Sequence, residues 1–163
     1  MIEVVISNIL VEQEDSPGSV FSKTEEGEHL TTNRFSVDQD NGVPVVVLEE
    51  ITGDPKRKML IWIGRSEAVA IKTALVKTEH PRPMTHDLLK NIVDALSAKV
   101  AAIHINAVKN ATFHAKVKLK SNSRDLDIDS RPSDALAIAI RSNAPIYVED
   151  DVIEKHGFFE KEK

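Results

Sequence analysis

The sequence predicts an α+β fold: a single domain with a curled, mostly antiparallel sheet and about three helices. Three observations carry that reading. Apolar and polar residues alternate strictly through Phe113, Ala115, Val117 and Leu119 and again through Arg124–Asp129, the period of a strand with one buried face. Leu89, Ile92, Val93 and Leu96 recur at i, i+3, i+4 and i+7, the stripe of an amphipathic helix. The run Ala135-Leu136-Ala137-Ile138-Ala139-Ile140 is apolar on all sides, as a central helix would be.

In chain order, Ile2–Val11 alternates loosely and reads as a strand. Residues 12–42 form a polar excursion, with turn clusters at 14–18 and 38–42 around an acidic patch at 25–28. Pro44-Val45-Val46-Val47-Leu48 is continuous and β-branched, so this strand should be buried on both faces. Gly53-Asp54-Pro55 turns the chain and Met59–Ile63 returns it as a hairpin, with Trp62 and, further on, Phe113 assigned to the core. Gly64 breaks the strand, and Ser66 or a neighbour caps a helix bearing Ala70, Ile71, Ala74 and Leu75. His80-Pro81-Arg82-Pro83 is a stiff linker, after which Thr85 should cap the second helix with Asp87 in its first turn.

The next hairpin has a constrained register. Matching its apolar faces sets Ile105 opposite Ala115 and Ile103 opposite Val117, with a three-residue loop at 109–111. A third helix runs from about Pro132 to Arg141 and stops at Asn143, before a short strand Ile146-Tyr147-Val148. The domain is therefore expected over 1–154, with a charged tail over 155–163.

Composition narrows the function classes. The 163 residues carry a net charge of −5, against a basic nucleic-acid coat or a membrane-surface protein. Absence of cysteine excludes disulfide scaffolds, thiolate metal sites and a thiol nucleophile. The start has neither a basic region nor a long apolar core, and no window offers the ~20 apolar residues of a membrane span, so a soluble, cytoplasmic protein is expected.

Three stretches occur together: Ile61-Trp62-Ile63-Gly64 with Glu67-Ala68; Pro81-Arg82-Pro83-Met84-Thr85-His86-Asp87-Leu88-Leu89; and Asp129-Ser130-Arg131-Pro132-Ser133-Asp134-Ala135, continuing to Ala144-Pro145-Ile146-Tyr147-Val148. In order and spacing they resemble the bifunctional nuclease domain family, whose members are named for activity on both RNA and DNA. Two features depart from it: the 12–42 excursion is long, and His114 stands where an aromatic residue is expected.

That resemblance implies a nuclease of broad substrate choice with RNA and DNA as partners, and its motifs hold the candidate machinery. His86 could move protons near neutral pH, with Asp129 and Asp134 as catalytic or orienting carboxylates. Arg82 and Arg131 could grip phosphate bidentately beside Ser133. Lys116 and Lys118, with Lys120 and Arg124, form the best phosphate-tracking stripe. Asp125, Asp127 and Asp129 share one strand face, and Asp127 and Asp129 are the candidate ligands of a hard cation such as magnesium, the cofactor itself being left open.

Plainer readings stand beside these. Alternating aspartates guard strand edges, Arg131 and Asp134 could be a structural ion pair, and Ser133 a helix cap. The alternative function is a non-catalytic, oligomeric binding or regulatory module. Short, edge-prone strands and an all-apolar helix lead to the expectation of a homodimer. Convergence of Arg82, His86, Asp129, Arg131 and Asp134 on one open cleft would favour the enzyme; ion pairing or dispersal would favour the module.

Overall fold

The computed structural model describes residues 1–12, 42–122 and 124–159, so most of the 12–42 excursion lies outside the described residues. The chain builds one open, mixed sheet of eight strands. β1 (Ile2–Glu12), β2 (Val43–Glu50) and β3 (Arg57–Trp62) run antiparallel in that order. β4 (Ala98–Lys109), β5 (Thr112–Ser121) and β6 (Asp125–Ser130) form a second antiparallel set. β7 (Ile146–Val148) joins the two sets, parallel to β4 and antiparallel to β1. With β8 (Gly157–Phe159) beside β3, the order is β6-β5-β4-β7-β1-β2-β3-β8.

Four helices accompany the sheet: α1 (Arg65–Leu75), α2 (Thr85–Ala95), α3 (Pro132–Ser142) and α4 (Asp150–His156). The third helix fulfils its apolar sequence. Leu136 and Ala137 are fully buried, and α3 packs on β4 and β5 while touching α1 and α2. Pro132 occupies its first position, where a missing N–H costs nothing, and Asn143 ends it in the left-handed conformation. This helix carries the chain from β6 across β5 and β4 to β7, and so fixes where β6 ends relative to α2. Pro44–Leu48 is buried throughout, as its continuous apolar run required.

Several expectations need correction. There are four helices, not three. Asp150–His156 has only Val152 and Ile153 to bury, too few for a visible period, though its acidic start and basic end match the helix dipole. The expected tail over 155–163 instead ends α4 and adds β8, where Phe158 pairs with Lys58; residues 160–163 lie outside the described residues. Trp62 is 50% exposed, because Met59, Ile61 and Ile63 take the inner face of that strand and alternation turns Trp62 outward. The helix starts fall slightly earlier than expected, with Gly64 and Met84 as N-caps instead of Ser66 and Thr85.

The β4–β5 hairpin keeps the expected register, Ile105 opposite Ala115 and Ile103 opposite Val117, by a different route. Its turn is the two-residue Asn110-Ala111, both left-handed, with Lys109 opposite Thr112. Such a turn alone would oppose apolar to polar residues. A bulge between Ile105 and Ala107 inserts one residue and restores the match.

Candidate active site

α1, α2 and α3 each place an acidic side chain at their third position: Glu67, Asp87 and Asp134. The positive end of each helix favours a carboxylate there. Each of the three is also held by an arginine, and the two arginines differ. Arg141, near the end of α3, donates to Asp87 and to the carbonyls of Ala70 and Ala137, tying α1, α2 and α3 together. Asp87 also accepts from the Met84 N–H at 2.9 Å, closing the first turn of α2. Arg141's hydrogen bond is the leading reason the Asp87 carboxyl lies below its ordinary value.

Arg131, the N-cap of α3, is 65% exposed. Its Nε donates to Asp134 at 2.6 Å and its Nη2 to Asp134 at 3.0 Å, and Nη2 also lies 2.7 Å from Glu67. The other Asp134 contact is His86 Nε2, 3.2 Å from Oδ1, reaching across from the first turn of α2. Burial opposes ionisation of Asp134, but hydrogen bonds from Arg131 and His86 outweigh it, so the carboxyl is held below the usual range. The Arg131 guanidinium is held the more firmly protonated by Asp134 and then Glu67.

His86, Asp129, Arg131 and Asp134 line one cleft of about 490 Å³, with Thr85 and Ser130 beside them. Leu89, Val117, Ile128 and Ile138 supply its apolar wall. Two helix starts do meet here, from α2 and α3, but each already carries its own carboxylate. The remaining candidates lie elsewhere. Arg82 is exposed in the proline-rich linker, outside the cleft lining, and Ser133 is buried. Lys116 and Lys118 alternate with the cleft residue Val117 and therefore face the opposite side of the sheet.

On that opposite side Lys118 binds Asp127 at 2.6 Å, and Lys116 approaches it at 3.9 Å. The Lys118 hydrogen bond leads the lowering of the Asp127 carboxyl. Lys116 pairs in register with Asp129, and Lys120 with Asp125. The aspartates of β6 thus stand in a cross-strand ladder of opposite charge. Among the described residues no three His, Asp or Glu side chains gather as a metal cage.

Two partners escaped the sequence reading. Glu67 was visible as a first-turn acid, but its hold on Arg131 depends on how α1 packs. Arg141 left a signal, a lone cation in the last turn of an otherwise apolar helix.

Comparison with known proteins agrees with the motifs. The bifunctional nuclease domain matches residues 46–161. An uncharacterized protein of Mycobacterium tuberculosis is 40% identical over 121 residues, 74% of this chain and 71% of that one. Bifunctional nuclease 2 of Arabidopsis thaliana is 25% identical across 90% of this chain and 47% of its own length. Bifunctional nuclease 2 of rice (Oryza sativa subsp. japonica) is 25% identical across 74% of this chain and 38% of its own. The domain match spans most of the chain and contains all three motifs around the His86–Asp134–Arg131 cluster, and the chain belongs to the bifunctional nuclease domain family.

Proposed function

We propose that this protein hydrolyses phosphodiester bonds of RNA and DNA with broad substrate choice, at the cleft between α2, α3 and β6. The observation that carries the reading is the contact of His86 with Asp134, beside an exposed Arg131, on the wall of an open cleft. An ionised carboxylate at Asp134 accepts from Nε2–H, which leaves Nδ1 as the nitrogen that takes up a proton. His86 then accepts a proton from attacking water as the phosphorus–oxygen bond to the leaving group breaks. Asp134 orients the imidazole, and Arg131 offsets the charge developing on the phosphoryl oxygens. Asp129 contributes at the cleft wall, and Arg82 reaches substrate from its linker. Ser133 acts by packing the start of α3, and Lys116 and Lys118 take no part in the cleft. The cytoplasm is the compartment this reading assigns to a cysteine-free chain.

A second reading, a non-catalytic binding module, is favoured by one feature: the single guanidinium of Arg131 is shared by two carboxylates, Asp134 and Glu67. The deciding experiment is a cleavage assay on labelled RNA and on single- and double-stranded DNA, with and without EDTA, using protein freed of contaminating nucleases. The nuclease reading expects His86→Ala to lower turnover by roughly 10²–10⁴-fold with the circular dichroism spectrum unchanged. Equal cleavage by wild type and variant would move the activity elsewhere or abolish the reading. Loss of cleavage in EDTA would make a divalent cation part of the machinery.

A further inference from the structure

We propose that the outer stripe of α2 is the surface through which two copies of this chain associate, an inference independent of the nuclease reading. Met84, Leu88, Ile92 and Leu96 recur every fourth residue along α2 and its two caps, so they form one row on the helix surface. They are 47%, 52%, 46% and 73% exposed, and no residue of α2 is buried. The helix meets its own domain from another side, through contacts with α3 and β4 and through His86 and Asp87. The strongest apolar stripe in the sequence is therefore spent on nothing within the chain.

Its chemistry selects the occupant. The row contains no charge, and the nearby Lys90 is already paired with Asp94. A phosphate backbone would need free cations along such a surface, and an anionic lipid surface would need a basic polar face. With Asp87 and Asp94 on the helix against Lys90, neither is provided. A second copy fits better. The row reads the same in both directions about its midpoint, so an antiparallel twin sets Leu88 against Ile92 and Met84 against Leu96, apolar against apolar throughout. Rows of this i±4 kind interdigitate at helix crossings of about −50°, and a two-fold axis through the midpoint gives a closed, isologous dimer.

The extent is also appropriate. A contiguous apolar patch beyond a few hundred Å² is unusual for a monomer. A standard interface takes roughly 800 Å² from each partner, with an apolar centre and a charged rim. The row and the neighbouring Leu89, 42% exposed, supply the centre, and Lys90 and Asp94 the rim. Because α2 also carries His86, association would bring two clefts into one assembly.

Sedimentation velocity at micromolar concentration tests the proposal, with a variant combining Leu88→Asp and Ile92→Asp. Wild type should sediment at twice 18.1 kDa, and the variant at 18.1 kDa with unchanged circular dichroism and melting temperature. The chain has no cysteine, so single Leu88→Cys and Ile92→Cys variants can be mixed and oxidised. They should form an interchain disulfide, whereas Val76→Cys, exposed on the cap of α1, should not. A monomeric wild type overturns the proposal, and a double variant that stays dimeric overturns the location. A monomeric wild type whose binding to single-stranded RNA is lost in the double variant reassigns the row to nucleic acid.

Discussion

Arg141 and Arg131 each hold an aspartate at the third position of a helix, in opposite surroundings. Arg141 is 9% exposed, and besides Asp87 it binds two backbone carbonyls from two different helices. Its donors are distributed over α1, α2 and α3, and exchanging any partner would leave a buried group unsatisfied. Arg131 is 65% exposed and divides its donors between two carboxylates, Asp134 and Glu67. Water or a ligand oxygen can replace either. The same residue pair thus acts as a rivet in one place and as an exchangeable clamp in the other. Burial and the number of fixed acceptors separate them, not the charge.

The largest effect should come from breaking the rivet. Arg141→Met keeps the apolar stem but strands Asp87 and two carbonyls, so unfolding in urea should show a loss of about 3 kcal/mol or more. Arg131→Met, measured the same way, should cost less than about 1 kcal/mol, as exposed pairs do. Its damage should appear as weaker binding of a short single-stranded oligonucleotide. Equal stability losses in the two variants would erase the distinction.

Acid sharpens the same contrast. Both Asp87 and Asp134 have carboxyls held below their ordinary value in the folded protein. A depressed folded value means stability that is complete above the unfolded carboxyl pKa, about 3.9, and is lost as pH falls through the folded value. Wild-type stability should therefore hold from neutral pH to about pH 5 and decline below it. Arg141→Met removes the leading cause of the Asp87 shift and should flatten that decline. Arg131→Met should flatten it less, because His86 still binds Asp134. Urea midpoints measured from pH 7 to 3 would check this, and indistinguishable acid limbs would contradict it.

How much of this was legible in the sequence depended on how local the cause was. The position of α3 followed from a helix apolar on every side, which has only one place to go. The meeting of His86, Arg131 and Asp134 followed from two helices whose starts are set by Pro83 and Pro132. The stripe of α2 was equally clear, yet periodicity shows that an apolar face exists and not what it faces. The hairpin register was right while its loop was wrong, because a bulge near Asn106 is set by competition between the turn and the apolar faces. Arg141 with Asp87, and Arg131 with Glu67, were out of reach because distant elements bring the partners together. Arg82, Lys116 and Lys118 show the complementary error: charge in a motif or a cluster was read as convergence, while strand alternation and an exposed linker set these residues apart from the cleft.

The smallest expected effect belongs to Glu67, and it tests whether the clamp can open. Glu67 touches Arg131 from the first turn of α1 and has no link to His86. Glu67→Gln keeps a hydrogen-bond acceptor for the guanidinium and a polar side chain near the helix start, and removes one negative charge from the cleft mouth. Stability should change by no more than about 0.5–1 kcal/mol. Binding should respond in the opposite direction to Arg131→Met: with one carboxylate fewer competing for the guanidinium, a short single-stranded DNA should bind several-fold tighter. The gain should shrink as salt rises, since counterion release underlies it. Fluorescence anisotropy across a salt series would measure both. Weaker binding in Glu67→Gln would mean that Glu67 holds Arg131 in its working orientation, and the clamp would then need both of its carboxylates.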